Sequence, residues 1–199
     1  MEGRRRIGTM KSLENDIDGI TGYLARKQER FEETMRLSRQ IIMESGRIIT
    51  MLHNDDFANA ERKFKTLAAN IEDLRKVGKD FEYYTLQAQQ EFAEAAILLY
   101  IKKHSSIPSA SSLHVRREAY LLGLMDSVGE LKREILELLR RGNIDGAESF
   151  FEIMKKIYDS TRHLRFTDSI LPEFRKKQDT ARIQLENAGS EILMFKSSH

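Results

Sequence analysis

The chain has 199 residues, no cysteine and a formal net charge of +2. That length suits one compact domain with its own core, and the missing cysteines exclude disulfides and thiolate metal sites. A nearly neutral balance neither requires nucleic acid as a partner nor rules it out, because clustering of cations on one face matters more than their sum. With 2 prolines and 11 glycines against many Ala, Leu, Glu, Lys and Arg residues, the composition predicts an all-α protein. No apolar segment follows the basic N-terminus as a secretory signal would require, and the nearly apolar run 92–101 is far shorter than the ~20 residues of a membrane span. A cytoplasmic location is therefore expected.

In chain order, residues 1–13 read as a disordered basic arm, in which Arg4, Arg5 and Arg6 either contact phosphates or stay solvated. A first helix is predicted over about 14–53, because Ile17, Ile20, Leu24, Phe31, Met35, Ile42, Ile49 and Leu52 recur at the helical period. It exceeds the usual globular length, so it should pack against several partners or cross a subunit boundary. A second helix is predicted over about 55–77, ended by Gly78, and a third over about 80–103, stopped by the loop SSIPSASSL. The fourth runs over about 115–141, closed by Arg140, Arg141 and Gly142. Asp145 and Glu148 are spaced as a capping box for a fifth helix to about 165. Thr167 or Asp168 caps a last helix to about 194, with Pro172 in its early turns. The expected architecture is a single-domain antiparallel bundle of six to seven helices with a long first helix, spanning 14–199.

Four acids stand out. Glu91 and Glu94 lie three residues apart in QEFAEAAILLYI, and Asp126 and Glu130 four apart in AYLLGLMDSVGEL, so each pair shares one helical face. Glu94 is the only charged residue between Phe92 and Ile101, in a stretch that should face the core. A buried, unpaired carboxylate costs several kcal/mol. Three outcomes stay open on spacing alone. The acids can hold protons, pair with cations such as Arg133 beside Glu130, or ligate a hard cation. An oxygen-only donor set suits Mg2+ or Mn2+ rather than zinc. Acid pairs at this spacing are most often solvated or salt-bridged.

The surrounding residues carry a resemblance. AYLLGLMDSVGELKR (119–133), LQAQQEFAEA (86–95), RLSRQIIMESGRIITMLH (36–53) and GNIDGAESFFEIMKKIYDS (142–160) resemble, in order, blocks of the TRAX branch of the translin family. The likeness covers roughly 36–194 and is looser in the last helix. It implies an all-α fold assembled into octameric, barrel-like particles that enclose RNA or single-stranded DNA. It also implies metal-dependent endoribonuclease activity, since the TRAX acids match at Glu91, Glu94 and Asp126, with Glu130 present as well. Translin itself has basic and apolar residues at the first two positions. Two departures are Ala119, where TRAX has Asp, and the short basic N-terminus. They suggest a compact, prokaryote-like relative that assembles with itself.

The resemblance thus assigns Glu91, Glu94 and Asp126 to Mg2+ (or Mn2+). Glu130 becomes a further ligand, a group that orients water, or a partner of Arg133. Candidate RNA contacts are Arg36, Arg39, Arg47, Lys102, Lys103 and Arg133; singly, each reads better as a solvated charge, except Arg133, which lies on the acid face. Tyr83 and Tyr84 can stack on bases or pack in a core or interface. His53 reads as a helix-end histidine bonded to backbone or as an RNA contact. Two rivals remain: a family member that binds RNA without cleaving it, and a structural helical adaptor with a coiled-coil arm.

Overall fold

The computed structural model describes residues 2–197, with side chains from residue 11 onward. Among these residues the only regular elements are six helices: α1 (Glu2–His53), α2 (Phe57–Val77), α3 (Glu82–His104), α4 (Arg117–Arg140), α5 (Ile144–Thr161) and α6 (Phe174–Ser197). The first helix is 52 residues long and begins at Glu2 rather than near 14. Its opening residues contain no proline and include Arg, Met and Lys, which favour helix. The side chains of Arg4, Arg5 and Arg6 lie outside the described residues. No described helix is long and apolar enough to cross a membrane.

α3 is the axis of the fold. It packs against α1, α4 and, more lightly, α2, while α4 carries α5 and α6 on its other side. Phe92, Ala93, Ala95, Ala96, Ile97 and Leu98 are all buried, so this helix is apolar on every side over its middle turns, as a central core helix must be. Ile41, Ile48 and Leu52 of α1, Leu131 and Ile135 of α4, and Phe174 of α6 complete the core. The N-terminal half of α1 lies outside it: Ile17, Ile20 and Leu24 are exposed along one face.

The ends of the helices follow local chemistry. Gly78 caps α2, sending its N–H to the Leu74 carbonyl. Gly142 takes φ +74°, which turns the chain after α4 and puts Asn143 at the start of α5. The Asn143 side chain accepts from the Gly146 N–H at 2.9 Å, so Asn143 and not Asp145 is the cap; the side chain that reaches the third N–H fills that role. The last helix also starts later than the sequence suggests. Residues 167–171 form turns on the Thr167 carbonyl. Pro172 disfavours helix in the residue before it, and Glu173 adopts φ +58°, so α6 begins only at Phe174.

One contact sets the spacing of the central pair. Gly123 of α4 faces α3 so closely that a Cβ there would stand 2.6 Å from the Gln90 carbonyl oxygen and 3.0 Å from the Glu94 nitrogen. Both atoms are backbone and cannot rotate aside. Gly123→Val is therefore expected to push α4 off α3 and cost at least about 2 kcal/mol, read as a lowered urea midpoint by circular dichroism with an unchanged slope.

Candidate metal centre and nucleic-acid cleft

The close approach at Gly123 brings the two acid pairs together. Glu91, Glu94, Asp126 and Glu130 line one cleft of about 1000 Å³, walled by α3, α4 and α6 and bordered by Met35 of α1. Glu94 sits deepest, at 8% exposure. Burial pushes its carboxyl up to about 8, and the neighbouring charges of Asp126, Glu91 and Glu130 push the same way. Burial also raises Glu91, with Asp126 adding to it. Asp126 is held from both sides: Lys177 Nζ of α6 lies 2.5 Å from Oδ1, and the Gln90 amide donates to Oδ2 at 2.6 Å.

Glu130 belongs to a second arrangement. Its partner is His53, whose Nε2 donates to Oε2 at 2.5 Å; Arg133 is 3.9 Å away. The other ring nitrogen, Nδ1, lies 3.3 Å from Glu134. Both nitrogens thus face carboxylates, which only an imidazolium satisfies. Hydrogen bonds to Glu130 and then Glu134 raise the His53 pKa, and the bond from His53 lowers that of Glu130. Burial pushes Glu134 up, but bonds from His53 and Lys102 outweigh it and hold the carboxyl low. Lys102 then reaches Glu134 at 2.9 Å, the Leu52 carbonyl at 2.6 Å and Asp55 at 3.2 Å. Asp55 meets Arg141 at 3.0 Å. A line of alternating charge therefore runs from the cleft to the far end of α4. The His53 side chain is bonded to carboxylates and not to backbone, in contrast to the expected backbone-bonded histidine. The spacing of Glu130 and Glu134 on α4 was the only local sign of this pair, and their partner lies 77 residues away from Glu130.

Of the cations expected from the sequence, Arg133 alone reaches one of the four acids among the described residues, Glu130 at 3.9 Å. Lys102 is 4% exposed at its side chain and locked to three acceptors, so it offers nothing to a ligand. Arg36 pairs with Glu33, Arg47 with Glu44 and Lys103 with Glu61. Arg39 is exposed, and Arg133 points mainly into solvent. None of the six lines the acid cleft; Lys176 and Lys177 of α6 do. Tyr83 and Tyr84 stand on the cleft wall. Tyr83 is 80% exposed, so it is not a core residue, while Tyr84 packs edge-on against Phe31.

A model of the translin family matches residues 29–189. The chain belongs to the translin family. An uncharacterized protein of Methanocaldococcus jannaschii is 32% identical over 196 residues, covering 95% of this chain and 88% of that protein. Two solved structures are similar throughout. Apo-NeC3PO superposes with a TM-score of 0.83 at 23% identity, over 90% of this chain and 96% of the other. AfC3PO in complex with duplex RNA superposes at 0.81 with 27% identity, over 92% and 97%.

In this translin-family chain the donor chemistry fits a hard divalent cation: four carboxylates converge, and Glu94 is too buried to hold its charge unaided. As the side chains stand, no three acidic or histidine residues among those described are grouped tightly enough to share an ion. Asp126 is turned to Lys177 and Glu130 to His53, so a cation at Asp126 would compete with its lysine.

Two stability measurements follow from these shifts. Glu94 is raised in the fold, so its effect is absent below its unfolded pKa and destabilises increasingly as pH rises toward about 8. In EDTA at pH 8, Glu94→Gln should raise Tm by roughly 5 °C, with the gain vanishing at pH 4.5. His53 is also raised, so its contribution is complete below its unfolded pKa and fades as pH climbs through the folded one. His53→Ala should cost about 3 kcal/mol at pH 6 and progressively less in alkaline buffer, as followed by urea unfolding.

Proposed function

We propose that this chain is a metal-dependent endoribonuclease of the TRAX-like branch, hydrolysing RNA phosphodiesters in the cleft between α3, α4 and α6. The observation that carries this reading is the convergence of Glu91, Glu94, Asp126 and Glu130 on one cleft, with Glu94 buried. A carboxylate raised to about 8 is unfavourable for a structural role and suited to holding a cation or moving a proton. Membership of the translin family and the likeness to AfC3PO, solved with duplex RNA, support RNA as the ligand.

In this reading Glu91, Glu94 and Asp126 hold Mg2+ or Mn2+. Bound there, the ion supplies Lewis acidity and a lowered pKa for a water molecule near the scissile phosphate. Glu130, fixed by His53 at 2.5 Å, orients the attacking water. Gln90 keeps Asp126 in place by its 2.6 Å bond. Tyr83, exposed on the cleft wall, offers a stacking face for a base. Assembly into a closed, octamer-like particle accords with the family resemblance and with the exposed Ile17, Ile20 and Leu24 face of α1. Single-stranded DNA is a second ligand class for the same enclosure.

One observation favours the rival in which RNA is bound but not cut: Asp126 already has a lysine partner. Labelled single-stranded RNA incubated with Mg2+, Mn2+ or EDTA separates the two. Cleavage should require metal and fall at least about 100-fold in Glu94→Ala and Asp126→Ala, with particle size and RNA retention on a filter unchanged. Cleavage that survives both substitutions, or that persists in EDTA, would falsify this assignment; salt-sensitive retention without cleavage in the unaltered protein establishes the rival.

A further inference from the structure

We infer that Lys177 is a phosphate-binding residue for the RNA strand, held in reserve on Asp126 until a divalent cation takes its place. The inference rests on the reading of the cleft as a nuclease site and adds to it a substrate contact that the sequence reading did not contain.

Lys177 is placed by the start of α6. Glu173, with φ +58°, opens the helix, and the Lys177 N–H donates to the Glu173 carbonyl at 3.0 Å. That first bond fixes the α6 turn which faces α4. The ammonium then lies 2.5 Å from Asp126 Oδ1, half-buried on the cleft wall. It occupies the position of a counter-ion among carboxylates, and it does so on a flexible four-carbon stem.

Its bonding differs from that of the other lysine near the acids. Lys102 has three acceptors and is almost wholly buried, so it is structural. Lys177 has Asp126 as its one partner among the described residues and borders open space. Asp126 has both oxygens engaged, by Lys177 and Gln90. The ammonium on Oδ1 competes by its charge with any cation that approaches that oxygen. Once a divalent ion takes that oxygen, like charges drive the ammonium away from it. The anion that then completes its charge is the phosphate of the strand entering the cleft. Lys176 lines the same wall without an ion pair among the described residues, which extends the cationic edge along α6. Glu91, Glu94, Asp126 and Glu130 face Lys176 and Lys177 across the cleft, with Glu173 on the lysine side, and a phosphodiester lying between them meets both charges.

The test removes the charge and keeps the stem. By calorimetry on the full-length protein without RNA, Lys177→Met should bind Mn2+ about 5-fold tighter, since a partly exposed ion pair no longer competes. At saturating Mg2+, its KM for single-stranded RNA should rise about 5-fold with kcat within about 2-fold, because one phosphate contact is lost. Lys177→Arg should keep both values near those of the unaltered chain, and Lys177→Gln repeats the removal should the methionine variant fold poorly. If Mn2+ affinity in the Met and Gln variants is unchanged or weaker while the unaltered chain binds Mn2+ and cleaves RNA, the role of Lys177 is overturned and the nuclease reading stands. If the unaltered chain neither binds Mn2+ nor cleaves, both are overturned.

Discussion

The contact between Gly123 and the backbone of α3 is the constraint from which the site follows. With no side chain at that position, α4 lies against the Gln90 carbonyl and the Glu94 nitrogen. Two helices that close bring their acid faces into one volume and leave too little room for bulk water around the deepest carboxylate. The desolvation that raises Glu94 is therefore a product of helix spacing rather than of any one neighbour. The apolar turns of α3 on either side of Glu94 fix that spacing, because a core helix buried all round cannot shift without opening cavities.

The four acids divide into two electrostatic types. Glu130 is compensated by a buried imidazolium and belongs to a line of alternating charges through Glu134, Lys102, Asp55 and Arg141. Removing any member strands its neighbours, so this line ties α1, α3 and α4 together and holds Glu130 still. Glu91 and Glu94 have no such compensation and carry raised pKa values. Asp126 stands between, compensated by a lysine at the cleft rather than by a buried network. Rigidity on one side and unmet negative charge on the other is what a site for a cation and a polyanion requires.

Much of this was legible in the residues. The Gly78 and Gly142 stops and the Ser-rich loop set the ends of α2, α3 and α4 to within a few residues, whereas α1 begins about a dozen residues before the expected 14; the acid spacing pointed to the faces that line the cleft. The misses have physical causes. Asn143 outcompeted Asp145 as a cap because the positive φ of Gly142 placed it in reach of Gly146. The late start of α6 depended on Glu173 taking a left-handed conformation, which nothing about glutamate announces. Pairings such as His53 with Glu130, or Lys177 with Asp126, join segments 77 and 51 residues apart. Helical period reports which face a residue is on and not which remote charge meets it. For the same reason the cations expected from α1, α3 and α4 do not line the cleft, whereas Lys176 and Lys177 of α6 do.

The buried Glu94 has a consequence for how such a site trades with its surroundings. Burial that pushes this carboxyl up to about 8 favours its protonated form near neutrality. For the proposed nuclease, loading is then an exchange: a divalent ion enters and a proton leaves to the buffer. Acidification below about 8 would therefore raise the ion concentration needed to load it. In that nuclease, acidity and scarcity of the ion would act in the same direction at one buried carboxyl.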